Sequence, residues 1–150
     1  MPQESSYKQQ GESRLHSITL PNDIETIPQL NEFVDIACEE AGLDMAMTLN
    51  LNLAIEEAVV NVMNYAYPNG KGDVQVDIKT DSDSIVVVLK DSGIPFDPTK
   101  KGDVDTTLSV EERPIGGLGI HLVKQIMDKV SYLRHDNQNI LTLEKKTNNQ

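Results

Sequence analysis

Three short groups of residues in this 150-residue chain have the types and spacing needed to hold a nucleotide. The first is Glu57-Ala-Val-Val-Asn61, in which a carboxylate and an amide stand one helical turn apart. The second is Asp91-Ser-Gly93, directly after a run of β-prone residues, and the third is the cluster Gly116-Gly117-Leu118-Gly119. Each group alone is common, but their joint order predicts a nucleotide site that has no P-loop.

The segment that carries Glu57 is predicted to be a helix with a polar stripe. At ~100° per residue, Asn50, Asn61 and Asn64 fall near Glu57, with apolar residues on both sides, whereas Glu56 falls where we expect solvent. A buried polar group needs a partner. Asn61 could offer its oxygen to Mg²⁺, and Glu57 could accept a proton from a water or hydroxyl facing the γ-phosphate. The alternative is that both side chains bond to loops across the helix.

The other two groups could hold the two ends of a nucleotide. Asp91 can accept a hydrogen bond from an exocyclic amine such as that of adenine, and Gly93 would let a flat ring approach the backbone. The glycine cluster opens a predicted helix, where exposed N–H groups can bind phosphate oxygens. Arg113, three residues earlier, could reach the γ-phosphate or a partner's carboxylate. A plain turn at Asp91 and a hinge at the glycines are the alternatives.

The elements that must position these groups follow from periodicity and turn signals. Helices and hairpins segregate along the chain, which predicts an α+β fold: a two-layer α/β sandwich whose mostly antiparallel mixed sheet has helices on one face. We expect residues 1–13 to be a flexible segment and residues 14–150 to form one domain. The predicted elements are strands over 14–20, 73–80, 85–89, 131–136 and 140–146, helices over about 24–41, 44–66 and 118–130, and a long loop over 92–114.

Composition excludes several classes of function. The net charge of −11 argues against direct binding of nucleic acid, because phosphate contacts need clustered Lys and Arg. No apolar run approaches the ~18 residues of a membrane span, and the polar N-terminus lacks a signal sequence, so we expect a cytoplasmic protein. The single cysteine, Cys38, excludes an internal disulfide and any multi-cysteine metal site.

Taken together, the three groups resemble the nucleotide-binding boxes of the GHKL (Bergerat-fold) ATPases. Within that family they are most similar to the anti-sigma-factor serine/threonine kinases of bacterial stress-response and sporulation switches. The resemblance covers residues 20–146. The N box corresponds to 57–61, the G1 box to 91–97, the G2 box to 113–122, and the ATP lid to about 97–115.

The resemblance implies ATP and Mg²⁺ as cofactors and a role for each matching position. Two departures affect fine positioning: Tyr65 stands where the N box usually has His, and Asn139 stands where the family often has a hydroxyl donor. The implied roles are a general base at Glu57, a Mg²⁺ ligand at Asn61, a catalytic arginine at Arg113, adenine contacts at Asp91 and Gly93, phosphate contacts at Gly117 and Gly119, and further cofactor-binding positions at Gly116, Leu118 and Asn139.

The same resemblance implies a function and partners. The chain would transfer the γ-phosphoryl group of ATP to a Ser or Thr of a STAS-type anti-anti-sigma protein, sequester a sigma factor, and form a homodimer as the family often does. Two alternatives stay open. One is a partner-switching module that binds ATP without kinase activity, and the other is a stand-alone histidine-kinase-like ATPase domain acting in trans.

Overall fold

The computed structural model describes residues 13–100 and 117–147. No helix in this part of the chain is both long enough and apolar enough to cross a bilayer. The elements in chain order are β1 (Arg14–Pro21), α1 (Ile27–Glu40), α2 (Met45–Tyr65), β2 (Asp73–Thr80), β3 (Ser84–Asp91), α3 (Gly117–Ile126), β4 (Lys129–His135) and β5 (Gln138–Lys146), with 3₁₀ turns at Ile24–Thr26 and Pro98–Lys100.

The five strands form one sheet in the order β1-β2-β3-β5-β4, and all four described pairings are antiparallel. Burial alternates along β2, β3 and β5, so one face of the sheet belongs to the core. The three helices pack on that face. The predicted α+β sandwich, with its mostly antiparallel sheet and helices on one face, is confirmed.

Helix α2 is the central helix of this layer. Asp44 caps it by accepting a hydrogen bond from the Met47 N–H at 2.8 Å. Its sheet-facing side is fully buried, whereas Leu49 and Leu53 on the other side are 63% and 42% exposed. The prediction of two apolar arcs around the polar stripe is therefore half wrong. One arc is core, whereas in the other Leu49 and Leu53 face solvent in the described structure and only Val60 is partly buried against the core.

The last three elements differ from the prediction at their ends. Helix α3 stops at Ile126 because the chain already pairs with β5 at Asp128, whose N–H donates to the Glu144 carbonyl at 2.8 Å. The closing turn lies at Asp136 and Asn137, with φ of +53° and +63°, as a two-residue hairpin turn requires. Asn139, predicted to lie in that turn, is instead in β5 and opposite Asp91 of β3.

Candidate functional site

Asp91 and Asn139 form a buried polar pair at one end of the sheet, and each is only 4% exposed. The Asn139 Nδ2 group donates to Asp91 Oδ1 at 2.8 Å, and the Gly93 N–H donates to the same oxygen at 2.9 Å. Asp91 Oδ2 accepts no hydrogen bond from the described residues. Burial raises the pKa of Asp91, while these hydrogen bonds and the charge of Arg134 oppose the rise. One carboxylate oxygen is thus fixed and the other is left for a ligand.

Two residues that contact this pair were not predicted from the sequence. Arg134 donates through NH1 to the Gly93 carbonyl at 2.9 Å and to Asn139 Oδ1 at 3.2 Å. The Tyr132 hydroxyl also donates to Asn139 Oδ1. The correct hairpin turn would have revealed both, since a two-residue turn places Arg134 opposite Asn139 and Tyr132 on the same face of β4.

Gly93 lies against the C-terminal end of α2. A Cβ built on it would be 2.1 Å from the Ala66 carbonyl oxygen, which is backbone and cannot rotate away. The next residue, Ile94, donates its N–H to that same oxygen at 2.8 Å. The structure thus requires glycine here for contact with the helix end. Close by, the Tyr65 ring stacks on Phe96 with centroids 5.2 Å apart.

Replacing Gly93 with Ala should destabilise the fold by about 1–3 kcal/mol, because overpacking against backbone forces the chain to shift. Thermal denaturation measures the loss. Gly70→Ala is the matched control, since Gly70 has φ of +78° and open space around its Cβ position. It should lose about 1 kcal/mol through backbone strain alone. An unchanged melting temperature for Gly93→Ala would contradict the contact.

Asn61 and Glu57 lie in the C-terminal half of α2, one turn apart. Asn61 is 1% exposed, yet neither its amide nitrogen nor its amide oxygen has a hydrogen-bond partner among the described residues. Glu57 is half-buried, and burial first, then the neighbouring Glu56 charge, raise its pKa. Asn50 and Asn64, which we placed in the same stripe, are exposed. Of the predicted polar stripe, only Asn61 is buried and Glu57 half-buried in the part of the chain that the structure describes.

Glu56 is not simply solvated, contrary to our expectation. It is half-buried and accepts a hydrogen bond from Asn31 Nδ2 of α1 at 3.1 Å. The same nitrogen donates to Asn52 Oδ1, also at 3.1 Å. The helical angle was right, but α1 packs against that side of α2. Glu56 therefore belongs to the contact between the two helices and Glu57 does not.

The glycine cluster is partly described. Helix α3 begins at Gly117, so Gly117, Leu118 and Gly119 form its first turn, where backbone N–H groups have no acceptor within the helix. Ile120 and Val123, one turn further on, are buried in the core. Arg113 and Gly116 lie outside the described residues, as does most of the predicted lid. Of the lid, Pro98–Lys100 form a 3₁₀ turn whose Thr99 carbonyl accepts from Lys124 Nζ of α3 at 3.1 Å.

The donor set fits a nucleotide with a hard cation. An amide oxygen is a ligand that Mg²⁺ accepts, and a buried amide with two unpaired atoms is costly unless something fills the space beside it. Asp91 offers an acceptor for an amine at one end, and the first turn of α3 offers donors for phosphate oxygens. Ligand, cation and protein would thus satisfy groups that the described chain leaves unsatisfied.

Comparison with known proteins agrees with this arrangement. Residues 20–145 match the family described as "Histidine kinase-like ATPase domain". Proteins named serine-protein kinase RsbW are similar to the chain: 27% identical over 96 residues in Bacillus cereus (strain AH187) and 26% over 96 residues in Bacillus mycoides (strain KBAB4). Each match covers 61% of this chain and 60% of the relative, so the chain spans less than two thirds of these proteins.

Two solved structures share the fold. The RsbU and RsbW domains of Rv1364c from Mycobacterium tuberculosis align with a TM-score of 0.58 and 15% identity, covering 88% of this chain and 32% of that one. The histidine kinase AdeS from Acinetobacter baumannii aligns with a TM-score of 0.51 and 12% identity, covering 91% and 70%. At such identities the likeness concerns the fold alone. The match over residues 20–145 carries the assignment: the chain belongs to the histidine kinase-like (GHKL, Bergerat-fold) ATPase family.

Proposed function

We propose that this protein is an ATP-dependent serine/threonine protein kinase of the anti-sigma type. In this proposal it phosphorylates a STAS-type anti-anti-sigma protein and sequesters a sigma factor. The family accounts for ATP use. The relatives named serine-protein kinase support the reaction type. One observation carries the proposal: the half-buried Glu57 lies one turn from Asn61, whose buried amide has no partner among the described residues.

Each end of the site has a task in this reaction. Asp91 Oδ2 accepts the exocyclic amine of adenine, and the first turn of α3 directs N–H groups at the phosphates. Asn61 would hold Mg²⁺ through its amide oxygen, and the ion would supply positive charge to offset that of the phosphates. Arg113 would add a positive charge near the γ-phosphate.

Glu57 acts as the general base. Its carboxylate accepts the proton of the Ser or Thr hydroxyl as that oxygen attacks the γ-phosphorus and the bond to the leaving oxygen breaks. A base works best when its pKa is near the working pH. Burial moves the pKa of Glu57 in that direction, from an ordinary carboxyl value upward. Mere ATP binding would not need a base at this position.

The Glu56 charge gives this base a testable pH dependence. Activity requires ionised Glu57 and therefore falls as the pH drops through its raised pKa. The Glu56 charge is the second cause of that rise, so Glu56→Gln should lower the pKa of Glu57 and move the acid limb of the rate profile to lower pH. The Gln side chain can still accept from Asn31. Initial rates across pH measure the shift, and an unmoved acid limb would exclude Glu57 as the titrating base.

Labelling with [γ-³²P]ATP tests the function. The full chain is incubated with ATP, Mg²⁺ and a STAS-domain protein, and the labelled product is treated with acid or base. Label that survives acid but not strong base is phosphoserine or phosphothreonine and supports the proposal. Acid-labile, base-stable label indicates phosphohistidine and supports the histidine-kinase-like alternative. ATP binding with no label on any of a panel of STAS proteins supports the binding module without kinase activity.

A further inference from the structure

We propose that Asn139 is a positioning residue, which makes the site selective for a 6-amino purine through Asp91 and does not itself bind the nucleotide. This inference rests on the proposed ATP binding. It differs from the role that family resemblance implies for this position, which is that of a hydrogen-bond donor in the cofactor-binding set.

The Asn139 side chain has no donor left for a ligand. An amide carries two N–H donors and an oxygen with two lone pairs. Both donors are engaged: one with Asp91 Oδ1 and the other with the Ile94 carbonyl, each at 2.8 Å. The oxygen accepts from the Tyr132 hydroxyl, from Arg134 NH1 at 3.2 Å and from the Phe96 N–H at 3.2 Å. A ring nitrogen of a purine would have to displace one of these partners.

These bonds orient the carboxylate instead. Asp91 Oδ1 is held by Asn139 and by the Gly93 N–H, and no described residue donates to Oδ2. The plane of the carboxylate is thereby fixed and Oδ2 is the free acceptor. An exocyclic amine at position 6 of a purine donates to it, whereas a 6-oxo group would bring a second acceptor against it. Selectivity for the amine then requires that Asn139 keep Asp91 in this orientation.

Arg134 braces the same arrangement from the edge strand β4. Its NH1 group donates to both the Gly93 carbonyl and Asn139 Oδ1, so it links the loop that follows β3 to the Asn139 side chain. Arg134 is half-buried and donates to neither carboxylate oxygen of Asp91. Loss of Arg134 should therefore loosen Asn139 and reduce selectivity by less than loss of Asn139 itself.

The test compares two nucleotides that differ only in the amine. Calorimetry gives Kd for ATP and for purine riboside triphosphate, which lacks the 6-amino group, in the presence of Mg²⁺. A hydrogen bond to a carboxylate predicts about tenfold or greater preference for ATP in the wild type. Asn139→Ala should bring this ratio to within about twofold of unity, and Arg134→Gln should lower it partway. Thr142→Val, on the opposite face of β5, should leave it unchanged.

The ratio separates positioning from a structural role. If Asn139 only stabilised the fold, both Kd values would rise by the same factor and their ratio would stay at the wild-type value, which would overturn the inference. A wild type that binds both nucleotides equally would overturn it as well. If Asn139→Ala does not fold, Arg134→Gln decides, and a full wild-type ratio in that variant counts against the inference. A wild type that binds neither nucleotide would refute the proposed ATP binding itself.

Discussion

Replacing Glu57 with Gln should lower phosphotransfer by about 10²–10⁴-fold, the range that general-base catalysis typically contributes. The substitution keeps the size of the side chain and removes only its ability to take a proton. Because Asp91, Asn61 and the first turn of α3 are untouched, ATP should still bind with about the wild-type affinity. Single-turnover labelling of the STAS protein measures the chemical step, and calorimetry measures binding.

Glu56→Gln is the matched control, with the same chemistry one residue away. Glu56 faces Asn31 of α1, and glutamine keeps an acceptor for that contact. At a pH well above the acid limb, this variant should retain nearly full phosphotransfer. Equal losses in the two variants would mean that the helical position of the carboxylate does not matter, and the assignment of Glu57 as the base would be wrong.

Replacing Asp91 with Asn should weaken ATP binding by about 10-fold to 100-fold, the worth of a hydrogen bond to a charged group. The amide can turn its oxygen toward Gly93 and Asn139, which places its NH₂ group where Asp91 Oδ2 met the amine. Two donors would then face each other. Calorimetry with Mg-ATP measures the loss, and an unchanged Kd would remove Asp91 from the adenine site.

The same substitution should not weaken the fold. Burial raises the pKa of Asp91 above its unfolded value, so ionisation at neutral pH opposes folding, and stability falls as pH rises through the raised pKa. A neutral amide removes this penalty. Asp77→Asn is the matched control on the neighbouring strand. Asp77 contacts Ser17, Gln75 and Lys90 on the opposite face of the sheet, and its loss should leave ATP affinity unchanged.

Much of this architecture was predictable because local signals agreed with the tertiary packing. Alternation identified β1 and β2, and a continuous run of β-prone residues identified β3. The Asp44 cap marked the start of α2, and Gly42, which has a positive φ, marked the end of α1. The C-terminal third was less predictable. Val130 continues the apolar stripe of α3, so its position in the sequence predicts a helix. In the structure Val130 belongs to β4, because this segment forms backbone hydrogen bonds with β5. The spacing of apolar residues along the chain cannot predict which strands will pair.

In the candidate site, too, the features that depend on local sequence could be predicted, and those that depend on tertiary contacts could not. Glu57, Asn61 and Asp91 could be named as candidates from residue type and spacing, because the proposed chemistry depends on those two properties. Arg134 and Tyr132 were missed, because their contacts with Asn139 depend on the hairpin turn. The prediction placed that turn at 137–139, whereas the structure places it at Asp136 and Asn137. The surroundings of Glu56 were missed for a related reason: a helical angle gives a direction, and only the tertiary structure shows which helix lies there.

The contact between Gly93 and the end of α2 has a consequence for which insertions and deletions the chain can tolerate. Because Ala66 touches Gly93, the nine residue steps from Glu57 to Ala66 fix a separation of ~13.5 Å along the helix between the proposed base and the proposed adenine end of the site. One residue added or removed there would rotate Glu57 and Asn61 by ~100° relative to Asp91. The turn at Asp81–Asp83 lies at the other end of β3. Functional variants of this chain should therefore differ in length at that turn and never within the last two and a half turns of α2.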